Sequence, residues 1–155
     1  MNDAAKTDAQ AIVVEEIFPH APETVWLALI TPALVAKWLG MTPTGFAPVP
    51  GTRFTYQTTP AGAWDGLIRC RVLEAVANER LVYAWTGGDA GNVGYGARLD
   101  TVVTLTLTRV AEGTRLRVVH AGFELPRNET TYRNMSDGWT KVLRRLNAVA
   151  TEENR

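Results

Sequence analysis

The chain has 155 residues, with sixteen Lys and Arg balanced by sixteen Asp and Glu, 46% hydrophobic residues and 21% charged ones. That length suits one domain able to bury roughly two thirds of its unfolded surface, and the balanced charge gives no drive toward nucleic acid or an anionic membrane. Cys70 is the single cysteine, which excludes an internal disulfide and a cysteine-based metal site, and no run of about twenty apolar residues is present to span a bilayer.

MNDAAKTDAQ (1–10) is small and polar, and is expected to be a flexible N-terminal tail without the apolar core of a signal peptide. A cytoplasmic, reducing setting follows as the expectation. The domain is expected over residues 11–150, with a C-terminal tail at 151–155. AIVVEEIF (11–18) reads as a strand rich in β-branched residues, and Glu15 and Glu16 place it at an edge or an exposed position. Pro22 then suits the first turn of a helix with VWLALI as its body. Thr31-Pro32 repeats the device, with threonine as the cap and Gly40 as the stop. Two helices this short must dock on something to be stable. Trp26 is expected to face the core, and Trp38 to sit at the end of the plug they form.

Gly51 opens a run in which Phe54 and Tyr56 alternate with Arg53, Thr55 and Gln57. A strand over 64–75 puts Ile68, Cys70 and Val72 on one face, and Arg69 and Arg71 on the solvated one. LVYAW (81–85) follows. Val103, Leu105 and Leu107 alternate with threonines, and Leu116, Val118 and His120 alternate with Arg115, Arg117 and Val119. Period-two runs joined by glycine-bearing turns predict an antiparallel sheet with one dry face. GGDAGNVGYG is no phosphate loop, since it lacks a Walker lysine and precedes a strand; it is expected to be a mobile loop and a candidate lid.

After Pro126 the period changes. Tyr132, Met135, Trp139, Val142, Leu143, Leu146 and Val149 recur at three and four, the stripe of an amphipathic helix capped by Asn128. About 22 residues make it roughly 33 Å long. Gly138 inside it costs about 1 kcal/mol against alanine, which points to a close approach to the sheet or a bend.

Six or so strands at ~4.8 Å spacing make a sheet roughly 25 Å wide, and a helix with side chains is only ~10–12 Å across. The sheet must therefore curl, and what the helices leave uncovered is a cavity. Its expected lining is Phe54, Tyr56, Trp85, Leu105, Val118, His120, Met135 and Trp139, with Trp38 near the mouth; the alternative is that these side chains fill the space themselves. His120, on the dry face, either orients a ligand or moves a proton there, or is tied to a backbone or hydroxyl partner. His20 is expected to be exposed. Ser136, the one serine, has no visible triad partners, and two histidines without local acids make no metal site, so no catalytic constellation, metal or cofactor is expected.

The order strand, two short helices, antiparallel strands and long C-terminal helix resembles the α+β helix-grip fold of the START-like (SRPBCC) superfamily. APETVWLALITPALVAKWL, GTRF, WDGLIRCRVLEAVANERLVYAW, GTRLRVVHAGF and GWTKVLRRL carry the resemblance. In their order and spacing the chain is similar to the family named after the C-terminal domain of the activator of Hsp90 ATPase. The resemblance implies a hydrophobic cavity between sheet and long helix, and a small apolar or aromatic ligand as the partner. Polyketide cyclases and aromatases of the wider superfamily supply a second expectation, an enzyme with His120 and Tyr56 or Tyr132 as acid–base groups. Regulation of an Hsp90-type chaperone ATPase is a third, carried by the family name alone. Nucleic acid and membrane insertion are not expected, a chaperone partner is disfavoured, and a homodimer is left open.

Overall fold

The computed structural model of the chain describes residues 9–153. One six-stranded antiparallel sheet runs in the order β1-β6-β5-β4-β3-β2. Its strands are β1 (Ala9–Phe18), β2 (Arg53–Gln57), β3 (Leu67–Val76), β4 (Arg80–Gly87), β5 (Leu99–Val110) and β6 (Gly113–Glu124). Helices α1 (Pro22–Ile30) and α2 (Pro32–Leu39) follow β1, and α3 (Glu129–Glu153) ends the described chain. This is the expected α+β helix grip, a curled sheet around a long helix. The strand begins at Ala9, inside the segment expected to be tail, and α3 continues to Glu153. Residues 1–8 and 154–155 of the two expected tails lie outside the described residues.

Alternation does what its period predicts. Ile68, Cys70 and Val72, then Leu81, Tyr83 and Trp85, then Val103, Leu105 and Leu107, and finally Leu116, Val118 and His120 are all buried on one face. Arg69 and Arg71 are exposed on the other. In β6 the parity then breaks. Pairing with β1 slips between Gln10 and Ala11, where Gly122 adopts φ 109 and a Cβ would come 2.9 Å from the Asp100 carbonyl oxygen. This bulge moves the buried side from His120 to the odd-numbered Phe123, and glycine is the residue that tolerates its geometry.

The two short helices form a plug over one part of the dry face. Thr31 caps α2 through its carbonyl, which accepts from the Val35 N–H at 2.9 Å, and not through its hydroxyl as expected. Gly40 stops α2 in the left-handed region at φ 85, with its N–H on Ala36. The Trp38 indole N–H donates to the Ala28 carbonyl at 2.8 Å, and Arg145 Nε donates to the Trp38 carbonyl at 3.0 Å. Trp38 therefore joins α1, α2 and α3.

Two sequence expectations are corrected here. Asn128 is fully buried, and its side chain does not cap α3. Its Oδ1 accepts from the Glu124 N–H at 2.9 Å and its Nδ2 donates to the Arg98 carbonyl at 2.8 Å, while its own carbonyl takes the helix's Tyr132 N–H. His20 is only 7% exposed because the end of α3 packs over it, bringing Thr151 Oγ1 to 3.0 Å from Nε2. That partner lies 131 residues away in sequence.

Candidate functional site

A cavity of about 260 Å³ opens between α3, the ends of β3 and β4, the β2–β3 and β4–β5 connections and the end of α2. Helix α3 contributes Thr131, Asn134, Met135, Gly138, Trp139 and Val142. The strands contribute Ile68, Trp85, Gly87 and Leu99, and Leu39 and Met41 come from the end of α2. Thr58 and Trp64 belong to the β2–β3 connection, and Gly88, Tyr95, Gly96 and Ala97 to the glycine-rich loop. Among the described residues no charged side chain lines the cavity.

The glycine-rich loop, a candidate lid, forms a wall of the cavity and is hydrogen-bonded to the β2–β3 connection. Asn92 Nδ2 donates to the Ala61 carbonyl at 2.7 Å, its Oδ1 accepts from the Ala63 N–H at 3.3 Å, and Tyr95 OH donates to the Thr59 carbonyl at 2.7 Å. The Trp64 and Tyr95 rings meet at 5.7 Å, and Trp64 Nε1 donates to the Leu67 carbonyl at 3.1 Å. Val93, at the loop tip, is 96% exposed.

Of the residues expected around a cavity, Trp85, Met135 and Trp139 line this one. Trp38, Phe54, Tyr56 and Leu105 gather instead around a separate void of about 10 Å³ beneath α1 and α2, near the smallest space that holds one water. Val118 and His120 line neither space. All the expected sheet residues are on the dry face. The part of that face beneath the short helices is filled, and the part beyond them is open.

His120 is fully enclosed and belongs to a chain of directed hydrogen bonds. Thr101 Oγ1 donates to the Trp85 carbonyl at 2.9 Å and so accepts from His120 Nε2–H at 2.8 Å. The remaining nitrogen, Nδ1, accepts from Trp139 Nε1–H at 3.1 Å. Both partners require the neutral ring with its proton on Nε2. Burial points the same way, lowering the His120 pKa to about 3. His120 thus holds Trp85 and Trp139, two walls of the cavity, and presents no free nitrogen to its interior. Burial pushes the Tyr56 phenol upward and the Cys70 thiol up to about 12. The Tyr132 hydroxyl donates to the Ala11 carbonyl at 3.4 Å, and neither Tyr56 nor Tyr132 lines the cavity.

The lining residues that pattern reading missed lie mainly outside regular strands. Trp64 reads as a strand residue, yet β3 begins at Leu67 and Trp64 sits in the preceding turn, bridged to Ala61. Gly138 did carry a signal, the helix penalty. A Cβ built there meets no heavy atom within 4 Å, so there is no close approach to the sheet; the residue faces the cavity.

Among the described residues no helix is long and apolar enough to cross a membrane, and no group of three or more His, Cys, Asp or Glu could hold a metal ion. The family described as "Activator of Hsp90 ATPase homolog 1-like protein" matches residues 19–151. Protein MLL2253 of Mesorhizobium loti is 32% identical, with a TM-score of 0.78 over 92% of this chain and 98% of that one. Protein CV1439 of Chromobacterium violaceum is 26% identical, with a TM-score of 0.67 over 90% and 96%. CalU16 of Micromonospora echinospora shares the fold at 21% identity, with a TM-score of 0.71 over 94% and 78%. Comparison with curated proteins gave no match.

Proposed function

The chain belongs to the Activator of Hsp90 ATPase homolog 1-like family, and from that premise we propose that it is a binding protein for a small apolar or aromatic molecule held between α3 and the sheet. Family membership brings the fold and not an activity, so the reading rests on the site. The observation that carries it is the cavity of about 260 Å³ with an uncharged lining that includes Trp64, Trp85, Tyr95 and Trp139. Small-molecule sites have this character, apolar walls with a few polar groups. A cyclase-type reaction needs an acid or base facing the substrate. The groups considered for that role, His120, Tyr56 and Tyr132, lie outside the lining, which favours binding over turnover. A reducing, cytoplasmic setting fits a chain whose one thiol is free and buried. Native mass spectrometry of the protein with a library of uncharged aromatic compounds tests the proposal. A stoichiometric adduct is expected, and its absence across the library at millimolar concentration contradicts it.

A further inference from the structure

We propose that the ligand is an uncharged aromatic molecule with one hydrogen-bonding end, that Thr131 and Asn134 take this end, and that Gly138 sets the space for its body. This rests on the reading that the cavity binds a small molecule, and adds which molecules and by which residues.

Three observations lead there. With no charged residue in the lining among the described residues, an ionised ligand would leave water for a site without a counter-ion there, whereas a neutral ring meets aromatic faces and the thioethers of Met41 and Met135. The polar atoms of three of the four aromatic walls are already spent. Trp139 Nε1 is on His120, Trp64 Nε1 on Leu67 and Tyr95 OH on Thr59, so these rings offer only hydrocarbon. Among the described residues the uncommitted side-chain polar groups of the lining are Trp85 Nε1, which can only donate, and those of Thr58, Thr131 and Asn134, which can also accept. Thr131 and Asn134 stand three apart on α3, where side chains are neighbours, and Asn134 is exposed at the mouth.

The third observation is Gly138 itself. It sits in the middle of α3, where alanine would be the better helix former. Apart from its chain neighbours and the backbone of its own helix, no heavy atom lies within 4 Å of the Cβ that alanine would add, and its φ is not in the left-handed region. Neither packing nor backbone conformation demands glycine. What it serves is the cavity, between Asn134 one turn before it and Val142 one turn after it on the same face.

Naphthalene, 2-naphthol and 2-naphthoate separate the parts of the proposal, with affinities measured by equilibrium dialysis at neutral pH and melting temperature read on every variant. Wild type should bind 2-naphthol at one site, naphthalene about two- to tenfold more weakly for want of one hydrogen bond, and 2-naphthoate at least about tenfold more weakly. Asn134→Ala should bring 2-naphthol down to the naphthalene level and leave naphthalene unchanged. Gly138→Leu should abolish binding of all three compounds. Gly138→Ala should melt about 2–4 °C higher than wild type. Equal binding of the carboxylate overturns the proposal but not the binding function. So does undiminished 2-naphthol binding by Gly138→Leu, or a lower melting temperature for Gly138→Ala. Failure of wild type to bind any of the three overturns both.

Discussion

Replacing His120 by leucine removes the hub of the chain Trp139–His120–Thr101–Trp85 while keeping a side chain of similar bulk. Trp139 Nε1–H loses its acceptor at 3.1 Å, and Thr101 Oγ1 loses its donor at 2.8 Å while still bonding to the Trp85 carbonyl. The orphaned indole N–H is enclosed, which costs about 1–3 kcal/mol, and the lost bond to Thr101 about 1 kcal/mol more. His120→Leu should therefore destabilise the fold by about 2–4 kcal/mol, a fall in Tm of about 4–16 °C for a chain of this size. Trp139→Phe removes the donor from the other side and leaves Nδ1 empty. In the double variant neither orphan remains, so its cost should fall short of the sum of the singles by about 1–2 kcal/mol. Urea unfolding of the four proteins, followed by far-ultraviolet circular dichroism, closes this cycle. Additivity within about 0.5 kcal/mol, or a leucine variant as stable as wild type, would refute the hydrogen-bond chain as the element that sets the two walls.

The same histidine gives stability a pH dependence. Its pKa is about 3 in the fold against an ordinary 6.5, so between those values the unfolded chain binds the extra proton and stability rises with pH. The advantage of wild type over His120→Leu should be level above pH 6.5 and shrink by about 2 kcal/mol between pH 7 and pH 5. A difference that stays flat across this range excludes a neutral buried imidazole. Cys70, buried with its thiol pushed up to about 12, should resist Ellman's reagent at pH 8 in the native protein and react at once in urea. Fast native labelling would contradict its burial. Asn128→Ala should cost about 2–4 kcal/mol in urea unfolding, because it strips partners from the Glu124 N–H and the Arg98 carbonyl together. A loss below about 0.5 kcal/mol would show that water replaces both bonds.

Strand parity and the helix stripe are local properties, and they were enough to place the dry face, the long helix and the two-helix plug. They carry no information on which part of the dry face the plug covers. That depends on contacts between distant segments, such as Trp38 on Ala28 and Arg145 on Trp38. Phe54, Tyr56 and Leu105 therefore pack beneath the plug, while Ile68 and Leu99, equally apolar on paper, face open space. Trp64 escaped because turns have no period to read, and the burial of His20 needs the far end of α3. Gly138 is the instructive case. Its conflict with helix propensity was visible in the sequence, and the structure turns that conflict into a position on the cavity wall.

The five tryptophans make the cavity directly testable. Trp64, Trp85 and Trp139 line it, Trp38 borders only the small void, and Trp26 is buried elsewhere in the core. In a titration of nitrogen-15-labelled protein with 2-naphthol, the indole signals of Trp64, Trp85 and Trp139 should shift and saturate together while those of Trp26 and Trp38 hold still. Saturating shifts at Trp26 and Trp38 with the other three unmoved, or no shift at any indole up to the solubility of the compound, would contradict a ligand site between α3 and the open part of the sheet.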